Sequence, residues 1–259
     1  MPNDIFSRTE LLLGSDALER LSRCKVAILG IGGVGSYVAE ALARSGIGSF
    51  VLIDSDVVAA SNINRQILAL HSTVGRPKVE VMRERILDIN PMAKVETLKQ
   101  FLLPDNTARI LQPDWDYIVD AIDTVSAKIE LAVQATNRGI PLISSMGAGN
   151  KLDPTRFEVT DLYQTSVCPL SKVMRRELRK RGVDHLKVVY SPEEPLSPAA
   201  RESAPSDPMD AQKLEPILDD TLPRTPSKRR IPGSVAFVPS VVGLIIAGEV
   251  VKDLIQKVR

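Results

Sequence analysis

The chain has 259 residues, of which 44% are hydrophobic and 25% charged, and its formal net charge is +1. These are ordinary globular values, and they exclude a partner selected by bulk charge, so any nucleic-acid surface must come from local clustering. Two cysteines, Cys24 and Cys168, with two histidines exclude a disulfide framework and a closed zinc site of those types.

The amino terminus lacks the basic start and apolar run of a secretion signal. The longest apolar stretch, Val235 to Val251, contains Pro239 and Glu249 and is too interrupted for a convincing membrane span. A reduced, cytoplasmic protein is expected. From Lys25 onward, short apolar runs alternate with amphipathic stretches. KVAILG predicts a buried strand, VGSYVAEALARSG a helix closing on Gly46, and SFVLIDSD a second strand. RPKVEVMRERILDIN is a helix ended before Pro91. KVETLKQF and DYIVDAID read as strands, TVSAKIELAVQATNRG as a helix and PLISSMG as a fifth strand. Such alternation implies an α/β, mostly parallel sheet with helices on both faces. After Gly149 the pattern becomes less regular. LSKVMRRELRKRG is a basic helix, HLKVVY a strand, and Pro239 to Lys257 a final helix apolar enough to be buried. Ser191 to Gly233 holds half of the 18 prolines and reads as a mobile loop. The expected organisation is one domain over 1–259. Residues 20–150 form its nucleotide-binding core, and 151–259 a substrate and dimer region.

Gly30, Gly32, Gly33 and Gly35 satisfy the dinucleotide spacing, in which glycines allow a tight turn, close ligand approach and close helix packing. Asp54 follows 19 residues after Gly35, at the end of the second strand, where a carboxylate can accept ribose hydroxyls. The spacing alone leaves a nicotinamide or flavin enzyme and other nucleotide binders open. The polar residues beyond Asp54 shift the balance. Arg65 and Lys78 add cations, Asn62 and Gln66 neutral donors, and two cations suit a ligand richer in phosphate, a nucleoside triphosphate. Asp123, in the Asp120-Ala121-Ile122-Asp123 run, lies on the same carboxyl edge and can hold magnesium through one or two oxygens.

GIGGVG, LIDSD, SNINRQ, VGRPKVE and DAID together resemble the nucleotide site of the ubiquitin-activating-like adenylyltransferases, over roughly Phe6 to Gly149. The resemblance implies a Rossmann-like fold whose ligand is ATP. It places Asp54 at the ribose and Asn62, Arg65 and Lys78 around the phosphates, with Asp56 and Gln66 also among the nucleotide-binding residues. Asp123, beside Asp120, falls to Mg2+. Phe6-Ser7-Arg8 resembles an element that crosses a dimer interface, which makes Arg8 an arginine finger in a homodimer. Adenylation needs positioning and charge neutralisation rather than a general base, so His71 and His185 are expected at the surface or at helix ends.

Sulfur-carrier activators of this superfamily pair Cys-x-x-Cys elements, which are missing here. Cys24 should be a buried small hydrophobe, and Cys168 lies in the loop before the basic helix. ALARSGIGSFVLIDSD, NRQILAL, DAIDTVSAK, PLISSMGAGNKLDPTRFEVTDL and AFVPSVVGLIIAGEVVKDLI are similar to the tRNA threonylcarbamoyladenosine dehydratases, over nearly the whole chain. That resemblance implies adenylation of the threonyl carboxylate beside the anticodon, then ring closure by the substrate's own carbamoyl group. It also implies a monovalent cation (K+ or Na+) with unassigned ligands, and sulfur-transfer proteins as further partners. Lys172, Arg175, Arg176, Arg179 and Lys180 on the basic helix, with Lys228-Arg229-Arg230, offer phosphate contacts for RNA. Two alternatives remain: an adenylyltransferase for the Gly-Gly terminus of a sulfur-carrier or ubiquitin-like protein, and a nucleotide-binding module without catalysis.

Overall fold

A computed structural model describes residues 5–197 and 232–256. Its centre is a seven-stranded sheet of β1 (Lys25–Leu29), β2 (Ser49–Ile53), β3 (Lys94–Leu98), β4 (Tyr117–Asp120), β5 (Leu142–Ser145), β6 (Glu158–Asp161) and β7 (Lys187–Tyr190). The strand order is β3-β2-β1-β4-β5-β7-β6, parallel except where β6 pairs antiparallel with β7. The architecture is α/β and Rossmann-like. Among the described residues the helices are α1 (Ser7–Leu13), α2 (Ser15–Arg23), α3 (Gly35–Arg44), α4 (Lys78–Ile89), α5 (Pro104–Ile110), α6 (Val125–Arg138), α7 (Pro169–Lys180) and α8 (Pro239–Gln256).

The apolar runs are strands because both faces of the sheet are covered. Val26 and Ile28 of β1 pack with Phe50, Leu42 and the α8 residues Val242, Ile246 and Val250. Ala27 and Leu29, alternating with them, pack on the other face with Ile110, Leu131 and Ala135. Period-2 side chains buried on both sides give the continuous apolar composition seen in KVAIL. A third cluster joins α6 and α7 to β7 through Ile129, Met174, Leu178 and Val188. The sheet thus continues past Gly149, and α8 returns from the end of the chain to lie on α3. Gly243 makes that return possible: a Cβ there would sit 2.6 Å from the Val34 carbonyl oxygen.

Four elements have no counterpart in the sequence reading. β6 is short and half-polar on the sheet edge, so it carries little alternation. The polar, proline-led α5 is anchored by Asn106 Oδ1, which accepts the Leu103 N–H at 2.9 Å. α1 and α2 precede the first strand, and α1 buries none of its residues. Most of the 191–233 stretch, including Lys228-Arg229-Arg230, lies outside the described residues. Among the described residues no helix is long and apolar enough to cross a membrane.

Candidate nucleotide site

The strand order reverses between β1 and β4, and in open α/β sheets ligands bind where the carboxyl ends part at such a point. Gly30 leaves β1 with φ +89°, a left-handed conformation that suits glycine. A Cβ on Gly30 would lie 2.5 Å from the Ala121 oxygen, so the glycine turn and the segment after β4 are in direct contact. A Cβ on Gly35 would lie 1.8 Å from the Gly30 oxygen, which explains the glycine at the start of α3. Gly33 packs on Pro239, the first residue of α8, with the Arg65 stem alongside. The distant end of the chain therefore floors the turn.

Asp54, half-buried beyond β2, accepts the Ile31 N–H at 2.7 Å through Oδ2 and the Asp56 N–H at 2.8 Å through Oδ1. Each oxygen keeps a further acceptor position for a sugar hydroxyl. The polar SNINRQ cluster follows as a 3-10 turn, where the buried Asn62 uses Oδ1 to accept the Ala59 N–H at 3.1 Å. Gln66 is also buried, and its Oε1 has no hydrogen-bond partner among the described residues. Its amide nitrogen would be 3.8 Å from a Cβ on Gly32. A buried amide oxygen left unpaired beside the glycine turn suits a nucleotide bearing hydroxyl or amino donors. Arg65 is half-buried and donates from Nη1 to the Ser61 carbonyl and to Asn64 Oδ1, each at 2.9 Å.

Two carboxylates of the expected site turn inward. Asp56 pairs with Lys78 at 2.9 Å, and both residues are buried. Lys78 thus brings a charge already shared with Asp56, not the free cation that its position after the polar cluster suggested. Asp120, expected beside the nucleotide, is fully buried and paired with the equally buried Lys128 at 2.9 Å. Ser144 donates to the same Asp120 oxygen at 2.6 Å. Asp120 therefore supports the site from beneath. Asp123, three residues on, is exposed and has no hydrogen-bond partner among the described residues. No cluster of three or more His, Cys, Asp or Glu occurs among the described residues. A lone exposed carboxylate beside a polyphosphate fits magnesium, which takes one or two protein oxygens, and does not fit a caged metal.

The parts that Lys128 and Pro239 play beside the site were not expected from the sequence. The signal for Lys128 was a cation set directly between two apolar residues, Ala127 and Ile129, both of them buried; for the packing of Pro239 on the glycine turn no local signal exists. Arg8 is exposed on α1, while Phe6 packs near Gly46. Cys24 is buried before β1, and Cys168 is buried at the start of α7, its sulfur 3.8 Å from a Cβ position on Gly147. His71 and His185 are exposed, and His185 pairs with Asp161 at 2.5 Å. Lys172, Arg175, Arg176, Arg179 and Lys180 line one surface hollow on α7. Arg175 donates to the Thr165 carbonyl at 2.8 Å, and Arg179 lies 5.2 Å over the Tyr163 ring. Glu177 contacts Arg181, Lys180 and Arg176, and hydrogen bonds from the first two hold its carboxyl down to about 2.

Residues 6–259 match the ThiF family model, nearly the whole chain. The chain belongs to the ThiF family. The tRNA threonylcarbamoyladenosine dehydratase of Bacillus subtilis is 46% identical over 255 residues, covering 98% of this chain and 96% of the relative. The crystal structure of the Escherichia coli tRNA N6-threonylcarbamoyladenosine dehydratase in complex with ATP superposes with a TM-score of 0.83 at 33% identity. That match covers 99% of this chain and 96% of the other. The molybdopterin-synthase adenylyltransferase of Haemophilus influenzae is 35% identical, over 59% of this chain and 66% of its own length.

Proposed function

We propose that this protein is an ATP-dependent tRNA threonylcarbamoyladenosine dehydratase, acting as a homodimer. The observation that carries the proposal is a glycine turn with the Asp54 carboxylate, the unpaired Gln66 amide oxygen and the Arg65 stem against it, and with the exposed Asp123 two residues beyond its contact at Ala121, in a chain similar over nearly its full length to enzymes of that name. Asp54 would hold the ribose. Arg65 and the Lys78–Asp56 pair would face the phosphates, and Asp123 would hold magnesium, which supplies charge neutralisation as pyrophosphate leaves. The threonyl carboxylate attacks the α-phosphorus and pyrophosphate departs. The substrate's own carbamoyl group then attacks the activated carbonyl, AMP leaves, and a proton is lost from the carbamoyl group. No enzyme nucleophile is needed, in keeping with two buried cysteines.

Arg8 would reach the partner's site across the dimer. The neighbouring Ile5, Leu11 and Leu12 are 59%, 84% and 84% exposed, an apolar surface that a second copy would cover. The α7 hollow would receive tRNA phosphates. A monovalent cation and sulfur-transfer partners have no assigned residues here. Incubation with ATP, magnesium and threonylcarbamoyl-modified tRNA, followed by nucleoside mass analysis, should show loss of one water from the modified base. An unchanged nucleoside, with pyrophosphate exchange driven instead by a Gly-Gly-terminated carrier protein, would favour an activator of sulfur carriers. The similarity to the molybdopterin-synthase adenylyltransferase keeps that reading in view.

A further inference from the structure

The Asp120–Lys128 pair is the most deeply buried ion pair among the described residues, with both side chains fully shielded. A fold does not require such a pair, since apolar residues of similar volume often serve stability as well or better. Its bonds point to another purpose. Asp120 Oδ1 accepts the Ile122 N–H at 3.3 Å, and Lys128 Nζ donates to the Ile122 carbonyl at 3.2 Å. Both backbone polar groups of Ile122 are thus held by the two members of one ion pair. The residue that follows Ile122 is Asp123. Ser144, from the adjacent strand β5, donates to Asp120 at 2.6 Å and ties the pair to the sheet. On the other side, a Cβ at Gly30 would meet Ala121 O at 2.5 Å and Ile122 N at 3.0 Å. The same backbone turn therefore abuts the glycine turn.

We propose that Lys128 is a positioning residue: with Asp120 and Ser144 it clamps the Ile122 peptide and so fixes the outward Asp123 carboxylate against the glycine turn. This role rests on Asp123 being the magnesium-facing carboxylate proposed above. Asp123 has no hydrogen bond of its own among the described residues, so its aim depends on the backbone beneath it. Such supporting residues typically change metal affinity or rate about 10–100-fold when replaced.

The decisive variant is the double change Asp120→Asn/Lys128→Met, which removes both charges and strands neither. It should fold, as judged by its melting curve, and bind ATP without magnesium much as the parent does. Hydrogen exchange at the Ile122 amide of the nucleotide-free protein should quicken at least about tenfold, and half-saturation by magnesium in pyrophosphate release should rise about 10–100-fold. Lys128→Arg, keeping the charge, should recover much of both effects. A folded double variant with parental exchange and parental magnesium dependence would overturn the clamp. Asp123→Ala separates the two levels. If it shifts magnesium dependence and the double variant does not, only the clamp fails; if it shifts nothing, the assignment of Asp123 fails and takes the clamp with it. Should the double variant not fold, Ser144→Ala decides: it removes one bond to Asp120 and should move the same two readouts in the same direction, and no movement in either refutes the clamp.

Discussion

In the proposed site Arg65 and Lys78 would both bring positive charge toward the phosphates, yet their loss should read differently. Lys78 and Asp56 are buried together at 2.9 Å. Lys78→Ala leaves a buried carboxylate without its cation, which costs about 3–5 kcal/mol. The melting temperature should fall on the order of ten degrees before any effect on turnover is considered. Arg65 is half-buried and bonded to local acceptors, so Arg65→Ala should stay within about 0.5 kcal/mol of the parent while turnover drops. Melting curves of the two nucleotide-free variants test the contrast, and equal stabilities would mean that the Lys78–Asp56 pair is relaxed in solution. Asp54→Ala should weaken ATP binding about ten- to hundredfold, because hydrogen bonds to a charged group are lost. Calorimetry finding tight NAD binding and no ATP binding would overturn the site.

Two elements of the carboxy-terminal half carry electrostatics of opposite kinds. On α7, Glu177 stays ionised down to about 2 and partly neutralises Arg181, Lys180 and Arg176. Lys172 and Arg179 have no carboxylate partner among the described residues. Replacing either by Ala should lower the salt slope of tRNA binding by about 0.7–0.9 for each phosphate no longer neutralised. An unchanged slope, measured by titration at several salt concentrations, would place the RNA elsewhere. On α8, Glu249 and Asp253 grip Lys187 of β7 at 2.7 and 2.9 Å, and Tyr117 donates to Asp253 at 2.6 Å. Burial alone would raise the Glu249 pKa, but its bonds to Lys187 and Lys252 carry it below 4.5. Burial alone would lower the Lys187 pKa, but bonds to Glu249 and Asp253 carry it above 10.5. The Glu249 contribution is complete above 4.5 and lost as pH falls through its depressed value; the Lys187 contribution is complete below 10.5 and lost as pH rises through its raised value. The stability gap between the parent and Lys187→Met should therefore be widest near neutrality and shrink in acid and in strong base. A gap independent of pH would show that these charges add nothing.

At the scale of the molecule, the proposed homodimer would make each site depend on two chains. Arg8 projects from a helix that buries none of its own residues. Mixing two inactive variants, Arg8→Ala and Asp123→Ala, should restore part of the activity. One site of a mixed dimer would receive an intact Arg8 from one chain and an intact Asp123 from the other. No recovery despite proven subunit exchange would confine Arg8 to its own chain or remove it from the reaction. Replacing both cysteines, as Cys24→Ala/Cys168→Ser, should leave cyclisation within a few fold of the parent, since the cavity cost at Cys24 is only about 1 kcal/mol. A folded, ATP-binding variant that had lost cyclisation would promote thiol chemistry and the sulfur-carrier reading.

The strand–helix order from Lys25 to Ser145, apart from the polar α5, was legible in the sequence, as were the glycine turn and the acid after the second strand. Each depends on residues within a few positions of one another: alternating apolar side chains, a glycine that must adopt φ +89°, a helix stopped before a proline. The direction in which each charge points was not legible. Asp120 and Asp123 belong to one four-residue run, yet one is sealed against Lys128 and the other faces outward. Lys78 meets Asp56 across 22 positions, and Pro239 floors a glycine turn more than two hundred residues earlier. Such pairings are settled when packing brings separate elements together, because a buried charge must find a partner wherever the fold provides one.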